Sequence, residues 1–152
     1  MPETVDQTMP KVTDGDISES IRTIQTLLEV TGKIQKEGKL LLDLLSDEAQ
    51  IPVWFQPPEV AVMDPARIGK QSDYYFIIAV FYYCLTGKKL SRYERFCLGV
   101  PDLSDVIARN HMDERTAKLL CGIFRKGLAH GLKNRYQSLQ QLQEDFDNLE
   151  RL

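Results

Sequence analysis

The stretch from Asp73 to Gly87 constrains this chain more than any other. From Tyr74 to Leu85 it carries no charged and no strongly polar side chain. A segment apolar on every side cannot lie on a surface, so it is a fully buried helix or a fully buried strand. Its aromatic and β-branched residues favour a strand. Its length favours a helix, because strands usually run about five or six residues. Ser72 or Asp73 can cap a helix start, and Gly87 followed by Lys88 and Lys89 reads as a helix stop. We read a central helix over 73–86, more buried than any other segment. It is short of the roughly 20 apolar residues that a membrane span needs.

Helical periodicity recurs on both sides. Residues 1–15, with Pro2, Pro10 and Gly15, read as a flexible arm, and 16–152 as one domain. Asp16 with Glu19 forms a capping-box pattern. Ile17, Ile21, Ile24, Leu27 and Leu28 then follow at helical spacing to about Lys36, and Gly38 stops the run. Pro52, Pro57 and Pro58 make 46–58 irregular. A short helix is expected over 102–109. Asp113 caps the next, where Ala117, Leu120, Cys121 and Phe124 share a face. Ser138 and Gln141 form a second capping box, opening a last helix with Leu139, Leu142, Phe146 and Leu149 on one side. The fold class is mainly α.

Composition narrows function mostly by exclusion. The chain is 152 residues long, 43% hydrophobic and 27% charged, with a net charge of −3. That balance gives no electrostatic reason to expect nucleic acid or an anionic membrane as partner. Cys84, Cys97 and Cys121 are odd in number and far apart, which suits buried free thiols in a reducing compartment. The first residues have neither a basic start nor an apolar core, so no signal peptide is read and a cytoplasmic location is expected. His111 and His130 are isolated, no Cys-x-x-Cys occurs, and no glycine-rich phosphate loop is present. No metal and no cofactor are expected.

The order of several short motifs is more informative than any one of them. Pro57-Pro58-Glu59 comes first. Gln71-Ser72-Asp73-Tyr74 then leads into the apolar helix, which ends Leu85-Thr86-Gly87-Lys88. Phe124-Arg125-Lys126-Gly127-Leu128 and Asn134-Arg135-Tyr136-Gln137-Ser138 follow. Over 28–152 this series resembles the C-terminal lobe of a serine/threonine protein kinase domain. In that family an Ala-Pro-Glu motif precedes a Ser-Asp-x-Tyr helix start, a Leu-x-Thr-Gly helix end follows, and an Arg-Tyr-x-Ser helix closes the lobe. The resemblance implies a buried ion pair between Glu59 and Arg135. It also implies that Asp73 reaches from the central helix to the backbone of the loop at 41–43, although an ordinary N-cap role suits Asp73 as well.

The catalytic parts of the family carry over poorly. The His-Arg-Asp position reads Leu41-Leu42-Asp43, so Asp43 is the one retained chemical residue, and a vestigial one. The lysine expected two positions on is Leu45, and the magnesium-binding asparagine is Glu48. The interval from Asp43 to Glu59 leaves no room for both an Asp-Phe-Gly loop and an activation segment. No stretch before residue 28 reads as the strands of an amino-terminal β lobe, so that lobe is expected to be absent. Three functions compete. The first is a truncated, degenerate, pseudokinase-like lobe acting through a partner protein that covers its exposed face. The second is one part of an active ATP-dependent kinase split at the gene level. The third is an unrelated helical adaptor.

Overall fold

The computed structural model describes residues 17–42, 56–61, 64–90 and 101–151. These form helices α1 (Ile17–Lys36), α2 (Pro58–Ala61), α3 (Lys70–Thr86), α4 (Ser104–Arg109), α5 (Glu114–Gly127) and α6 (Leu139–Arg151), with 3-10 turns at Pro65–Arg67 and Leu132–Asn134. No strand occurs among the described residues, and none of their helices is long and apolar enough to cross a membrane. The arm at 1–15, Asp16 with its capping box, Asp43, Leu45 and Glu48 lie outside the described residues.

Helix α3 is the axis of the molecule. Every residue from Ser72 to Tyr82 is buried, and Cys84 and Leu85 are buried beyond them. Burying a large apolar side chain stabilises by about 1.5–3 kcal/mol, and the strand preference of this composition, which spans about 1 kcal/mol and depends on context, yields to packing against the neighbouring helices. α1 and α5 pack against α3, while α6 packs against both α1 and α5. Phe81 marks where α5 and α6 meet the axis. Its ring stacks on Phe124 at 5.4 Å and meets Phe146 edge-on at 4.8 Å. Such pairs add to what area burial alone supplies. Among the described cysteines, Cys84 and Cys121 are free thiols, and burial pushes the Cys84 thiol up to about 11, which makes it inert.

The helix ends follow local chemistry at several points. α1 runs to Lys36, and Gly38 turns the chain with φ 77°. Gly87 closes α3 at φ 70°, its N–H donating to the Tyr83 carbonyl. A left-handed φ of this kind costs a residue with a Cβ far more than glycine. The Asp113 carboxylate accepts the Thr116 N–H at 2.8 Å, as a cap does.

Three end assignments differ from the sequence reading. α3 starts at Lys70, with Gly69 rather than Ser72 or Asp73 in the capping position. Ser72 sits in the first turn, where its Oγ accepts the Gly69 N–H at 3.1 Å, and Asp73 follows one residue further into the helix. The second capping box is open on one side. Ser138 Oγ accepts the Gln141 N–H, but Gln141 Oε1 accepts from Gln137 rather than from Ser138. Pro58, expected in an irregular stretch, opens the short helix α2, a position where its missing N–H costs nothing.

The end of α5 lies hard against the middle of α3. A Cβ added at Gly127 would stand 2.8 Å from Ile78 Cβ and 2.9 Å from Ile78 Cγ2, with Cγ1 closer still. Only a residue without a side chain allows this approach. Gly127→Ala is therefore expected to destabilise the protein by about 1–3 kcal/mol through overpacking. Trimming the obstacle in Gly127→Ala/Ile78→Ala should return part of that loss. Urea denaturation of the single and double variants checks this, and a neutral Gly127→Ala would show that the two helices have room to part.

Candidate functional site

Two carboxylates meet the first turn of α3, one presented to it and one on it. α2 presents Glu59, and that turn carries Ser72 and Asp73; all three side chains are buried. The 3-10 turn at Leu132–Asn134 delivers Arg135 to the same place. Gln137 holds that turn, its side-chain amide donating to the carbonyls of Leu132 and Arg135 at 2.8 Å each.

Arg135 and Glu59 form a two-pronged ion pair. Nη1 donates to Glu59 Oε2 at 2.6 Å, and Nη2 donates to Oε1 at 3.0 Å. The remaining guanidinium hydrogens go to main-chain carbonyls. Nε donates to Ala129 at 2.7 Å, Nη1 to Gln71 at 3.2 Å and Nη2 to His130 at 3.3 Å. A guanidinium has five N–H groups, so this buried cation is fully satisfied. Its plane also lies over the Tyr75 ring, 5.1 Å from the centroid. Ser72 Oγ donates to Glu59 Oε2 at 2.6 Å and links the pair to α3. Burial pushes the Glu59 carboxyl upward. The Arg135 and Ser72 hydrogen bonds and the Arg135 charge outweigh that push, so its pKa falls below the ordinary 4.5.

Asp73 works on the opposite side of the same turn. Its Oδ2 accepts the Leu41 N–H at 2.9 Å and the Gln35 side-chain amide at 3.0 Å, and its Oδ1 accepts the Leu42 N–H at 3.1 Å. The segment that leads out of α1 is thereby tied to the base of the central helix. Gln35 also accepts from Tyr74 Oη. Burial raises the Tyr74 phenol, and the Asp73 charge raises it further.

The structure thus brings Glu59 to Arg135, and Asp73 to the backbone of Leu41 and Leu42. Asp43 lies outside the described residues. Sequence reasoning missed Gln35 and Gln137, whose amides are one polar residue among many in the sequence. It treated Ser72 as a cap, although Ser72 adjoins Asp73 in the Ser-Asp-Tyr motif and bridges to Glu59. Chemically, Glu59 and Asp73 are both buried and held by internal donors, which suits anchoring rather than proton transfer. No cluster of His, Cys, Asp or Glu among the described residues could hold a metal ion. Among the described residues, Val30 is the one large apolar side chain exposed.

Removing one partner of a buried, hydrogen-bonded ion pair strands the other charge and costs about 3–5 kcal/mol. Glu59→Ala and Arg135→Ala are each expected to lose an amount of that order, and the double variant less than their sum. A denaturation cycle measures the coupling, and additive losses would show that the pair carries no shared energy. The sign with pH follows from the lowered Glu59 pKa. Its contribution is complete above the unfolded value of about 4.5 and is lost as pH falls through the lower folded value. Glu59→Gln is therefore expected to flatten part of the acid limb of the stability profile.

Asp73→Asn keeps the shape but leaves one acceptor oxygen where two are used. We expect a loss of about 1–3 kcal/mol, the cost of a buried donor without its partner. Hydrogen exchange localises the effect: the Leu41 and Leu42 amides should lose protection before the middle of α3 does. Unchanged protection would rule out the tether. Among known proteins, no family model, curated sequence or solved structure matches this chain.

Proposed function

We propose that this chain is a degenerate, protein-kinase-like C-terminal lobe that transfers no phosphoryl group by itself and acts by binding another protein. The observation that carries the reading is the double anchorage of one helix turn. Ser72 and Asp73, adjacent in sequence, hold α2 on one side and the Leu41–Leu42 backbone on the other. With the Glu59–Arg135 pair, these are the two tethers that the Ser-Asp-Tyr, Pro-Pro-Glu and Asn-Arg-Tyr motifs imply. A lone pair of motifs could arise in any helical protein. Two tethers converging on one turn, in the implied order, support the lobe more strongly than either does.

Phosphoryl transfer is positioning plus stabilisation of charge, and it needs a lysine on the phosphates, metal ligands and a cover over the nucleotide. Leu45 and Glu48 stand where the family has lysine and asparagine, and these 152 residues hold no Asp-Phe-Gly and no glycine-rich loop. Asp43 could orient a hydroxyl, but the sequence holds no matching residue for the phosphate lysine or the metal ligands that would hold ATP. A scaffold that keeps its tethers without the nucleotide machinery retains surfaces, and surfaces bind proteins.

Ligand binding to the folded state raises stability by mass action, by about 2.7 kcal/mol at a hundredfold excess over Kd. Millimolar Mg-ATP is therefore expected to leave the melting temperature unchanged. A rise that vanishes in Asp43→Asn, or labelled phosphate on a substrate above a no-protein control, would overturn this reading in favour of an enzyme.

A further inference from the structure

Charge is unevenly spread along this acidic chain. Residues 113–135 hold six lysines and arginines against two carboxylates, the capping Asp113 and Glu114, although the whole chain is at −3. Arg135 is buried in its ion pair; the other five cations are exposed. Four of them, Arg115, Lys118, Arg125 and Lys126, fall within about 100° of one another around α5 at helical spacing. They lie opposite the buried face made by Leu120, Ile123, Phe124 and Gly127. Glu114 is taken up by Lys118 at 3.4 Å. Lys126 lies over the Tyr136 ring at 5.0 Å, which restrains its position.

The stripe has a notch at its centre. Gly122 lies between Lys118 and Arg125, and a Cβ built there would meet nothing within 4 Å. The backbone of α5 is thus open to close approach between flanking cations. Three anionic partners fit a cationic stripe in principle. Single-stranded nucleic acid is bound by cations combined with exposed aromatic platforms. An anionic membrane surface is bound by cations beside an inserted apolar face. Val30, on α1, is the one large apolar side chain exposed among the described residues, so neither accompaniment is found on α5. An acidic polypeptide needs only the charges and the notch.

We propose that the outer face of α5 docks an acidic segment of a partner protein, with carboxylates on Arg115, Lys118 and Arg125 and the segment passing over Gly122. This rests on the protein-binding reading above and deepens it by naming the surface and the partner's chemistry. Arginine can hold a carboxylate by two parallel bonds. Each exposed pair is worth little by itself. A row of them against an acidic segment steers association and makes it sensitive to salt.

The test uses the full chain and a fluorescein-labelled peptide of alternating Glu and Ala, read by fluorescence anisotropy. Saturable binding is expected at low salt, weakened about tenfold or more at physiological ionic strength. It should be lost in Arg115→Glu/Lys118→Glu/Arg125→Glu and kept in Lys33→Glu/Lys36→Glu, which reverses the same sign of charge on α1. If the triple reversal unfolds, Arg115→Ala/Lys118→Ala/Arg125→Ala should still lose most of the affinity. No binding by the wild-type chain, equal loss in the α1 variant, or tighter binding of oligothymidylate or phosphatidylserine vesicles would overturn the proposal. Such a failure with the Glu59–Arg135 coupling intact removes the docking face and leaves the lobe-like reading standing. Peptide binding without that coupling does the reverse.

Discussion

A guanidinium whose five hydrogens are all used inside the protein is the interaction on which the other contacts depend. Arg135 touches the Glu59 carboxylate, the main chain of α3 at Gln71, and the main chain between α5 and the last 3-10 turn at Ala129 and His130. A buried cation is tolerable only when such a set is complete. That requirement acts as a geometric constraint: α2, α3 and the connection from α5 to α6 must meet at one point or the charge is stranded. Apolar packing around α3 supplies most of the driving force. It is non-directional, so it does not by itself select one arrangement of the surrounding pieces.

The first turn of α3 is where packing and polarity are joined. Below it the helix is apolar on all sides and is held by α1 and α5. At its start, Ser72 and Asp73 reach different partners, one Glu59 and one the backbone after α1. Ser72 does both, its Oγ accepting the Gly69 N–H at the helix start and donating to Glu59, while Asp73 serves the Leu41 and Leu42 backbone.

These tethers also bear on what the chain can do. Carboxylates bound by several internal donors are poor proton carriers and good anchors, so the chemistry of this site is positional. The surface offers the contrast. The exposed cations of α5 sit on a face that no described element covers, on a helix whose other side is fixed to α3 and α6. A rigid helix with an outward charge pattern presents its side chains at set spacing, which favours recognition of a partner at low entropic cost.

Much of this was legible in the sequence. The apolar run at 74–85 required a buried axis, and the periodicity of Ile21, Ile24 and Leu28, or of Leu142, Phe146 and Leu149, required helices with one face inward. Such patterns depend on residues three or four apart, so the chain determines them locally. The pairing of Glu59 with Arg135 was implied only by the resemblance to a kinase lobe and not by periodicity, since the two stand 76 positions apart. Other features were decided only in three dimensions. Ser72 and Asp73 are good caps by local chemistry; the nearness of Glu59 gives Ser72 a second bond beside its place at the helix start, and the nearness of Leu41 and Leu42 gives Asp73 its partners. Gly127 reads as a helix end, while its closeness to Ile78 arises from how α5 crosses α3. Gln35 and Gln137 acquire their roles from carbonyls and carboxylates brought to them by the fold. Local patterning selects the elements because neighbours in sequence are always neighbours in space. The choice of hydrogen-bond partner waits on which distant groups the packed core brings within about 3 Å.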